Sequence, residues 1–177
     1  MRWGGRLFPE KARSTPPTIW AVRLTQSEGE MENRTPYRVL IFDDDESFRQ
    51  ILWHYFASRG YEVFTFPNPG ICLLSGVPSC QCPLEESCSD IIISDLNMPF
   101  KKGLEFLEEQ LSKGCRCKNM ALMSSHLGRD DIERASSLKI KLFQKPFTIK
   151  EIEEWVSEIE KTINPARRLS SWFLGKS

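Results

Sequence analysis

Side chains suited to phosphoryl chemistry follow four apolar segments of the sequence. An acidic run, a single aspartate, a serine and a lysine follow them in that order: Asp43–Asp45, Asp95, Ser124 and Lys145. Clustered carboxylates favour a hard divalent cation such as Mg²⁺, and a carboxylate can attack phosphorus as a nucleophile. Hydroxyl and ammonium groups can then stabilise the negative charge that develops. These residues therefore predict phosphoryl transfer if the fold brings the four segments together.

The apolar segments alternate with amphipathic ones along the chain. The predicted strands are 39–42, 61–66, 91–94, 120–123 and 140–143. The predicted helices lie near 48–56, from Asn68-Pro69 onward, and near 104–111, 130–138 and 148–163. Continuous apolar strands separated by amphipathic helices indicate a parallel sheet that is covered on both faces. Ligands of such folds bind at the carboxyl ends of the strands, where the acids, the serine and the lysine stand.

Local signals support the helix ends. Gly60 and Gly114 stand where helix C-termini favour a residue of positive φ. Thr148 and Glu151 have the spacing of a capping box at the start of the last helix. The alternation of strands and helices is thus predicted from helix-capping and helix-ending residues as well as from apolar periodicity.

Four blocks of the sequence resemble, in the right order, the receiver domain of two-component response regulators. The blocks are VLIFDDDESFRQIL, IIISDLNMPFKKGLEFLEE, ALMSSH and LFQKPFTIKEIEEWV, and the resemblance covers residues 37–163. It implies a stand-alone, chemotaxis-type receiver. The implied fold is a flavodoxin-like, doubly wound, five-stranded parallel sheet of order 2-1-3-4-5 with helices on both faces.

The resemblance also implies a role for each site residue. Asp95 matches the phosphoacceptor, Ser124 the switch hydroxyl and Lys145 the phosphate-binding lysine. Magnesium is expected on the side chains of Asp43, Asp44 and Asp95 and on the backbone carbonyl of Asn97. The implied phosphodonor is a sensor histidine kinase or a phosphotransfer protein, and the implied output is a downstream protein effector. The chain is then a signalling domain, with no enzymatic activity beyond catalysing its own phosphorylation and dephosphorylation.

Three further positions bear on switching and on dephosphorylation. The resemblance places Asn97 and His126 beside the path of the hydrolytic water. Leu142 stands where the family often has an aromatic switch residue, and strand alternation sends Phe143 to the opposite face. The aromatic readout of this family is therefore not expected in this chain.

Two other functions fit part of the pattern. Residues 43–47 also match the DxDx[ST] start of haloacid-dehalogenase-like phosphatases, with Asp43 as nucleophile and Asp45 as acid/base. That alternative leaves Asp95 unexplained and lacks a cap-sized insert. The other alternative is a phosphorylation-independent pseudo-receiver, although such modules usually lose part of the acidic cluster or the lysine.

Charge divides the chain into three parts. Residues 37–163 carry 15 Lys/Arg and 20 Asp/Glu, which argues against nucleic-acid binding by that domain. Residues 1–36 are expected to form a disordered basic extension, with Met31 as an alternative start. Residues 164–177 form a short basic and aromatic tail, for which a frayed terminus is the simplest interpretation and a docking or membrane-surface segment is the alternative. Without a membrane-length apolar run or a signal-peptide pattern, we expect a cytoplasmic protein.

Five of the six cysteines fall in two loops that the proposed strand order makes neighbours. They are Cys80, Cys82, Cys88, Cys115 and Cys117. Converging thiolates can bind Zn²⁺ in a tetrahedral site, an iron–sulfur cluster would use the same ligands, and unrelated thiols or a disulfide remain alternatives. The sixth, Cys72, is expected in the core. A possible second metal site is therefore predicted at the edge of the sheet opposite Asp95.

Overall fold

The structure is a computed structural model that describes residues 35–175. The predicted extension 1–36 therefore lies outside the described residues except for its last two positions. Seven strands follow in chain order: β1 (Arg38–Phe42), β2 (Glu62–Phe66), β3 (Glu86–Ser87), β4 (Ile91–Asp95), β5 (Asn119–Ser124), β6 (Lys141–Gln144) and β7 (Arg168–Leu169). Five helices lie between them: α1 (Glu46–Ser58), α2 (Leu73–Gly76), α3 (Gly103–Ser112), α4 (Arg129–Ser137) and α5 (Ile149–Thr162).

Five strands form the central parallel sheet, in the order β2-β1-β4-β5-β6. Counted among these five alone, the order is 2-1-3-4-5, so the predicted flavodoxin-like topology is confirmed. β1 and β4 are fully buried because both faces of the sheet are covered. Their apolar residues explain why these segments read as continuous hydrophobic runs.

The two faces of the sheet pack against different helices. α1 and α5 cover one face, with Leu52, Phe56 and Val156 among the buried residues. α2, α3 and α4 cover the other, where Leu104 and Phe106 are fully buried. Residues of each strand alternate between the two cores, as a period of two requires.

Helix ends follow the predicted signals. Gly60 and Gly114 have φ of 80° and 79°, a region that glycine enters without the Cβ penalty of other residues. The side chains and backbones of Thr148 and Glu151 form the reciprocal capping box at the start of α5. The second helix is shorter than expected: Asn68 caps a 3-10 turn over Pro69–Ile71, and α2 is a single turn.

The segment after α5 is docked against the domain, so of the two interpretations that the sequence left open the structure shows docking and not fraying. β7 pairs with β3 in a small parallel sheet. Phe173 is buried among the residues of the second face, and its ring meets Phe64 edge-on with the ring centroids 5.4 Å apart. Arg167 binds Asp90 through two hydrogen bonds. Apolar burial and a buried ion pair, rather than strand length, fix this segment.

Candidate functional site

The ammonium group of Lys145 links the ends of two neighbouring strands. Its Nζ donates to Asp43 Oδ2 at 2.8 Å and to Asp95 Oδ1 at 2.7 Å. Asp43 immediately follows β1, Asp95 ends β4, and Lys145 immediately follows β6. The parallel register therefore brings together three residues that are separated by up to 102 positions, as the sequence predicts.

Asp95 is held by the loop that follows it. The Asn97 backbone N–H donates to Asp95 Oδ2 at 2.6 Å, while Lys145 binds the other oxygen. Gly103 opens α3 directly against this strand end, and a Cβ built on it would lie 1.8 Å from the Asp95 carbonyl oxygen. Gly103 is thus required because a side chain would clash with the end of β4. Its φ is not in the left-handed region, so backbone conformation does not impose the glycine. The Asp95 side chain is 10% exposed, so it is accessible only from the rim.

Asp43 is held from its own chain segment. Its Oδ1 accepts a hydrogen bond from the Asp45 N–H at 2.9 Å, and its carbonyl oxygen accepts one from Arg49 Nη1 at 2.5 Å. Asp45 also caps α1 by accepting from the backbone amides of Ser47 and Phe48, two and three residues later. Asp44, between these two, is exposed at the rim.

Phe48 contributes to the site in a way that the sequence did not indicate. Its ring centroid lies 4.2 Å from Lys145 Nζ, within the range of a cation–π interaction. Phe147 packs edge-on against the same ring. The sequence places Phe48 only at the start of the first predicted helix, and no local signal indicates its contact with the lysine.

Burial and pairing shift the ionisation of the cluster. Burial raises the pKa of the Asp43 carboxyl, against the opposing effect of its hydrogen bond to Lys145, and the nearby charge of Asp95 adds to the increase. Burial disfavours the charge of Lys145, but hydrogen bonds to Asp43 and Asp95 outweigh it and raise its pKa. Two carboxylates competing for one ammonium thus form a site that favours additional positive charge.

The Ser124 hydroxyl is engaged away from Asp95. Ser124 Oγ donates to the His126 carbonyl oxygen at 2.6 Å and accepts from the His126 N–H at 3.1 Å. Its own carbonyl oxygen accepts from the Lys145 N–H at 2.7 Å, which holds the end of β5 to the segment after β6. Ser124 is therefore at the predicted strand end, but its hydroxyl closes the loop that leads to α4, and the His126 side chain is exposed.

Leu142 and Phe143 face opposite sides of the sheet, as alternation predicts. Leu142 packs with the core beneath α3 and α4, whereas Phe143 is buried with the core beneath α1 and α5. Phe143 lies against Trp155 and Phe147, with ring centroids 5.5 and 5.3 Å apart. No aromatic side chain thus stands at the Leu142 position of the α4–β6 face.

Within residues 35–175, no group of three or more His, Cys, Asp or Glu side chains is arranged to hold a metal ion. The predicted zinc site at the cysteines is accordingly not supported, although the two cysteine loops do lie side by side. At the acidic rim, Lys145 stands between Asp43 and Asp95, so the ammonium supplies the positive charge that a cation would otherwise provide. The donor set of carboxylate oxygens still has the chemistry that Mg²⁺ prefers.

Comparisons with known proteins agree with this geometry. Residues 39–157 match the response regulator receiver domain family. The transcriptional regulatory protein FlgR of Helicobacter pylori is 30% identical over 134 residues, which cover 71% of this chain but 30% of FlgR. This chain therefore aligns with less than a third of that relative.

Solved structures show the same fold. The chemotaxis protein CheY4 of Vibrio cholerae superposes with a TM-score of 0.56 at 22% identity, covering 71% of this chain and 99% of CheY4. The receiver domain of the Francisella response regulator 1452 gives a TM-score of 0.58 at 20% identity, covering 72% and 99%. Because these two proteins are only 22% and 20% identical to this chain, the comparison shows the shared fold alone.

The chain belongs to the response regulator receiver domain family of two-component systems, because the family match spans most of it. Members of this family generally bind Mg²⁺ and interact with histidine kinases and downstream effectors. None of the helices in the described part of the chain is long and apolar enough to cross a membrane.

Proposed function

We propose that this chain is a receiver that takes a phosphoryl group on Asp95 and changes its affinity for a protein partner as a result. The observation that carries the proposal is the shared position of Asp43, Asp95 and Lys145 at one rim of the sheet, with hydrogen bonds of 2.7 to 2.8 Å joining them. The phosphodonor is a sensor histidine kinase or a phosphotransfer protein, and the output is a downstream protein.

The reaction uses Asp95 as nucleophile. A carboxylate oxygen of Asp95 attacks phosphorus, the bond between phosphorus and the donor's leaving atom breaks, and an acyl phosphate forms. The Asn97 N–H fixes one Asp95 oxygen, which leaves the carboxylate oriented before the donor arrives. The ammonium of Lys145, already 2.7 Å from the other oxygen, stabilises the charge of the incoming phosphoryl oxygens.

Mg²⁺ would be held by Asp43, Asp44 and Asp95 together with the Asn97 carbonyl, and it would supply further positive charge to the phosphoryl oxygens. The raised pKa of Asp43 supports this assignment, since a buried carboxylate near a second one is relieved by added positive charge. The role of this chain's own residues is to place both carboxylates at one point of the rim.

Switching would follow from Ser124. To donate a hydrogen bond to a phosphoryl oxygen, its hydroxyl must leave the His126 carbonyl, which lies 2.6 Å away. That exchange would free the loop between β5 and α4, and the change would be read by a partner on the α4–β6 face. Leu142 on β6 cannot replace an aromatic residue in this movement, so the loop itself carries the readout.

Acetyl phosphate, a small phosphodonor, provides the test. The reduced full chain is incubated with acetyl phosphate and Mg²⁺, and intact mass is recorded before and after. We expect the mass of one phosphoryl group to be gained, to be abolished by Asp95→Ala, and to persist in the control Asp130→Ala, which removes an exposed aspartate of α4. Label on Asp43 instead, or an adduct that survives Asp95→Ala, would contradict the proposal.

A further inference from the structure

Five cysteines gather at the amino end of the sheet, away from the proposed phosphoacceptor. Three lie in the segment between α2 and β4, and two lie between α3 and β5. They are Cys80, Cys82, Cys88, Cys115 and Cys117, and all are free thiols. The two loops are tied together by the Cys80 N–H, which donates to the Lys113 carbonyl at 2.9 Å, and by Arg116 Nη1, which donates to the Cys82 carbonyl at 3.0 Å.

The sulfurs of this thiol cluster contact one another. The Cys88 thiol is buried between the sulfurs of Cys82 and Cys115, and its single S–H can donate to one of them at a time; this pairing raises the pKa of Cys88. The Cys80 sulfur also interacts with Cys82. Cys80 and Cys115 are half-buried, so the cluster reaches the loop surface at these two residues.

Cys82 and Cys115 can both accept from the Cys88 thiol, which lowers the pKa of each, but Cys82 also accepts from the Trp172 indole. The hydrogen bond from the Cys88 thiol lowers the pKa of Cys82 to about 6, burial opposes this change, and the Trp172 Nε1–H, 3.2 Å from its sulfur, supports it. Burial raises the pKa of Cys117, which keeps that neighbouring thiol protonated. The Trp172 N–H therefore stabilises a thiolate on Cys82 more than on Cys115, and the thiolate is the reactive form of cysteine.

We propose that the thiol cluster is a redox modification site in which Cys82 reacts with a peroxide and Cys88 then joins it in a disulfide. The juxtaposition that supports this is a thiolate acceptor and a buried thiol donor in direct contact, with a tryptophan N–H on the acceptor. The inference is independent of Asp95 phosphorylation.

The chemistry balances with hydrogen peroxide as oxidant. The Cys82 sulfur attacks one peroxide oxygen, the S–O bond forms as the O–O bond breaks, and hydroxide leaves and takes a proton to become water. The Cys88 sulfur then attacks the sulfenic sulfur, and its proton leaves with the displaced hydroxide as a second water. Peroxide is reduced by two electrons, and the two cysteines are oxidised to one disulfide.

The docked segment after α5 is linked to the two cysteines that react. Trp172 donates to the sulfur that is oxidised, and Arg38 Nη1 binds both the Cys88 and the Ser170 carbonyl oxygens, at 3.1 and 2.7 Å. A neutral disulfide sulfur is a weaker acceptor than a thiolate. Oxidation therefore weakens a contact of the tail as well as closing a loop of the cluster.

The test uses the full chain, reduced and freed of reductant. It is exposed to hydrogen peroxide at neutral pH, quenched by alkylation under denaturing conditions, and mapped by peptide mass spectrometry. We expect a Cys82–Cys88 disulfide to form first, while Cys72 stays reduced because burial raises its pKa to about 11. The rate should reach half its maximum below pH 8.5, the ordinary pKa of a thiol.

Variants separate the roles of the two cysteines. Cys88→Ser should leave a sulfenic acid on Cys82 that dimedone traps, and Cys82→Ser should slow oxidation of the cluster by about tenfold or more. Trp172→Phe should slow it by a smaller factor, and Cys72→Ser is the control that should leave the rate unchanged.

Three results would overturn the proposal, and the wild-type mapping decides without any variant. They are no disulfide at all, a first disulfide that lacks Cys82, and one stoichiometric zinc in the purified protein that protects the thiols until a chelator removes it. An unchanged far-UV circular dichroism spectrum of the same sample shows that the domain is folded, so the result for the thiols stands whether or not acetyl phosphate labels Asp95.

Discussion

Buried acids at the two ends of the central sheet are neutralised in different ways. At the carboxyl end, Asp43 and Asp95 share the ammonium of Lys145, which is 20% exposed. At the amino end, Asp90 receives two hydrogen bonds from the Arg167 guanidinium and a third, at 2.9 Å, from the Arg38 N–H. At the carboxyl end, the Lys145 ammonium is thus hydrogen-bonded to two carboxylates. At the amino end, the Arg167 guanidinium is hydrogen-bonded to one carboxylate.

The amino end is built as a closed structural pair. Asp90 and Arg167 have side chains that are 5% and 13% exposed, and the fork of the guanidinium meets both carboxylate oxygens. The Asp90 carbonyl also accepts from Asn119 Nδ2 at 2.9 Å, which links β4 to β5. A fully satisfied pair of this kind fixes one arrangement and has no remaining need for another ligand.

The carboxyl end is left short of positive charge. Burial raises the pKa of Asp43, which means that its charged form is disfavoured in the folded state. Binding a cation or removing an acid at the carboxyl end should therefore increase the stability of the folded protein. Either change at the amino end should decrease it. Removing single acids from the two ends should therefore have effects of opposite sign.

Breaking the amino-end pair should have the largest effect. Asp90→Ala leaves the half-buried Arg167 guanidinium without its carboxylate and the Arg38 N–H without its acceptor, so we expect a loss of about 3–5 kcal/mol in the free energy of unfolding, measured by urea denaturation at pH 7. Glu154→Ala is the control, since Glu154 is 67% exposed and its ion pair with Lys150 is 3.9 Å long. Equal stability of the two variants would show that the pair is not structural.

Crowding the strand end beneath Asp95 should have the next largest effect. In Gly103→Ala the new methyl would meet the Asp95 carbonyl oxygen at 1.8 Å and the Ser94 hydroxyl at 2.6 Å, so α3 or β4 must shift. We expect a loss of about 3 kcal/mol by urea denaturation together with slower labelling by acetyl phosphate.

The matched control for that crowding is Gly76→Ala. The added methyl at Gly76 meets no atom within 4 Å, and alanine favours a helix more than glycine does. Its stability should be unchanged or slightly higher. A Gly103→Ala variant as stable as this control would contradict the steric account of the site.

The strand ends could be predicted because each depends on local pattern. Apolar runs such as 39–42 and 91–94 fix which residues follow each predicted strand, and the parallel order then brings Asp43, Asp95 and Lys145 to one rim. The side-chain partners on that rim were less predictable. Two examples are the hydrogen bond from the Ser124 hydroxyl to the His126 carbonyl and the contact of the Phe48 ring with Lys145. Both depend on packing between segments, which hydrophobic periodicity does not encode.

The tail shows the same limit more strongly. A basic and aromatic stretch of 164–177 has no periodicity and favours a frayed terminus in a sequence-based interpretation. Phe173 is buried and Arg167 finds Asp90, 77 residues earlier, because the short α2 leaves part of that face of the sheet uncovered. Neither contact has a signal in the local sequence, whereas the proximity of the two cysteine loops followed from strand order alone.

Removing the buried acid of the carboxyl end should have the smallest effect, and of the opposite sign. Asp43→Ala leaves Lys145 paired with Asp95, and the Asp45 N–H at the exposed start of α1 can be hydrated, so we expect a gain on the order of 1 kcal/mol in the free energy of unfolding at pH 7.

A carboxyl whose pKa is raised by folding binds its proton more tightly in the native state. Its destabilising charge is therefore absent at pH values below the ordinary pKa of 3.8 and grows as the pH rises through the raised value. The difference in stability between Asp43→Ala and the wild-type protein should increase across that range and then level off, whereas the difference for Glu154→Ala should stay near zero. A constant or falling difference for Asp43→Ala would show that the two ends of the sheet are equally well neutralised.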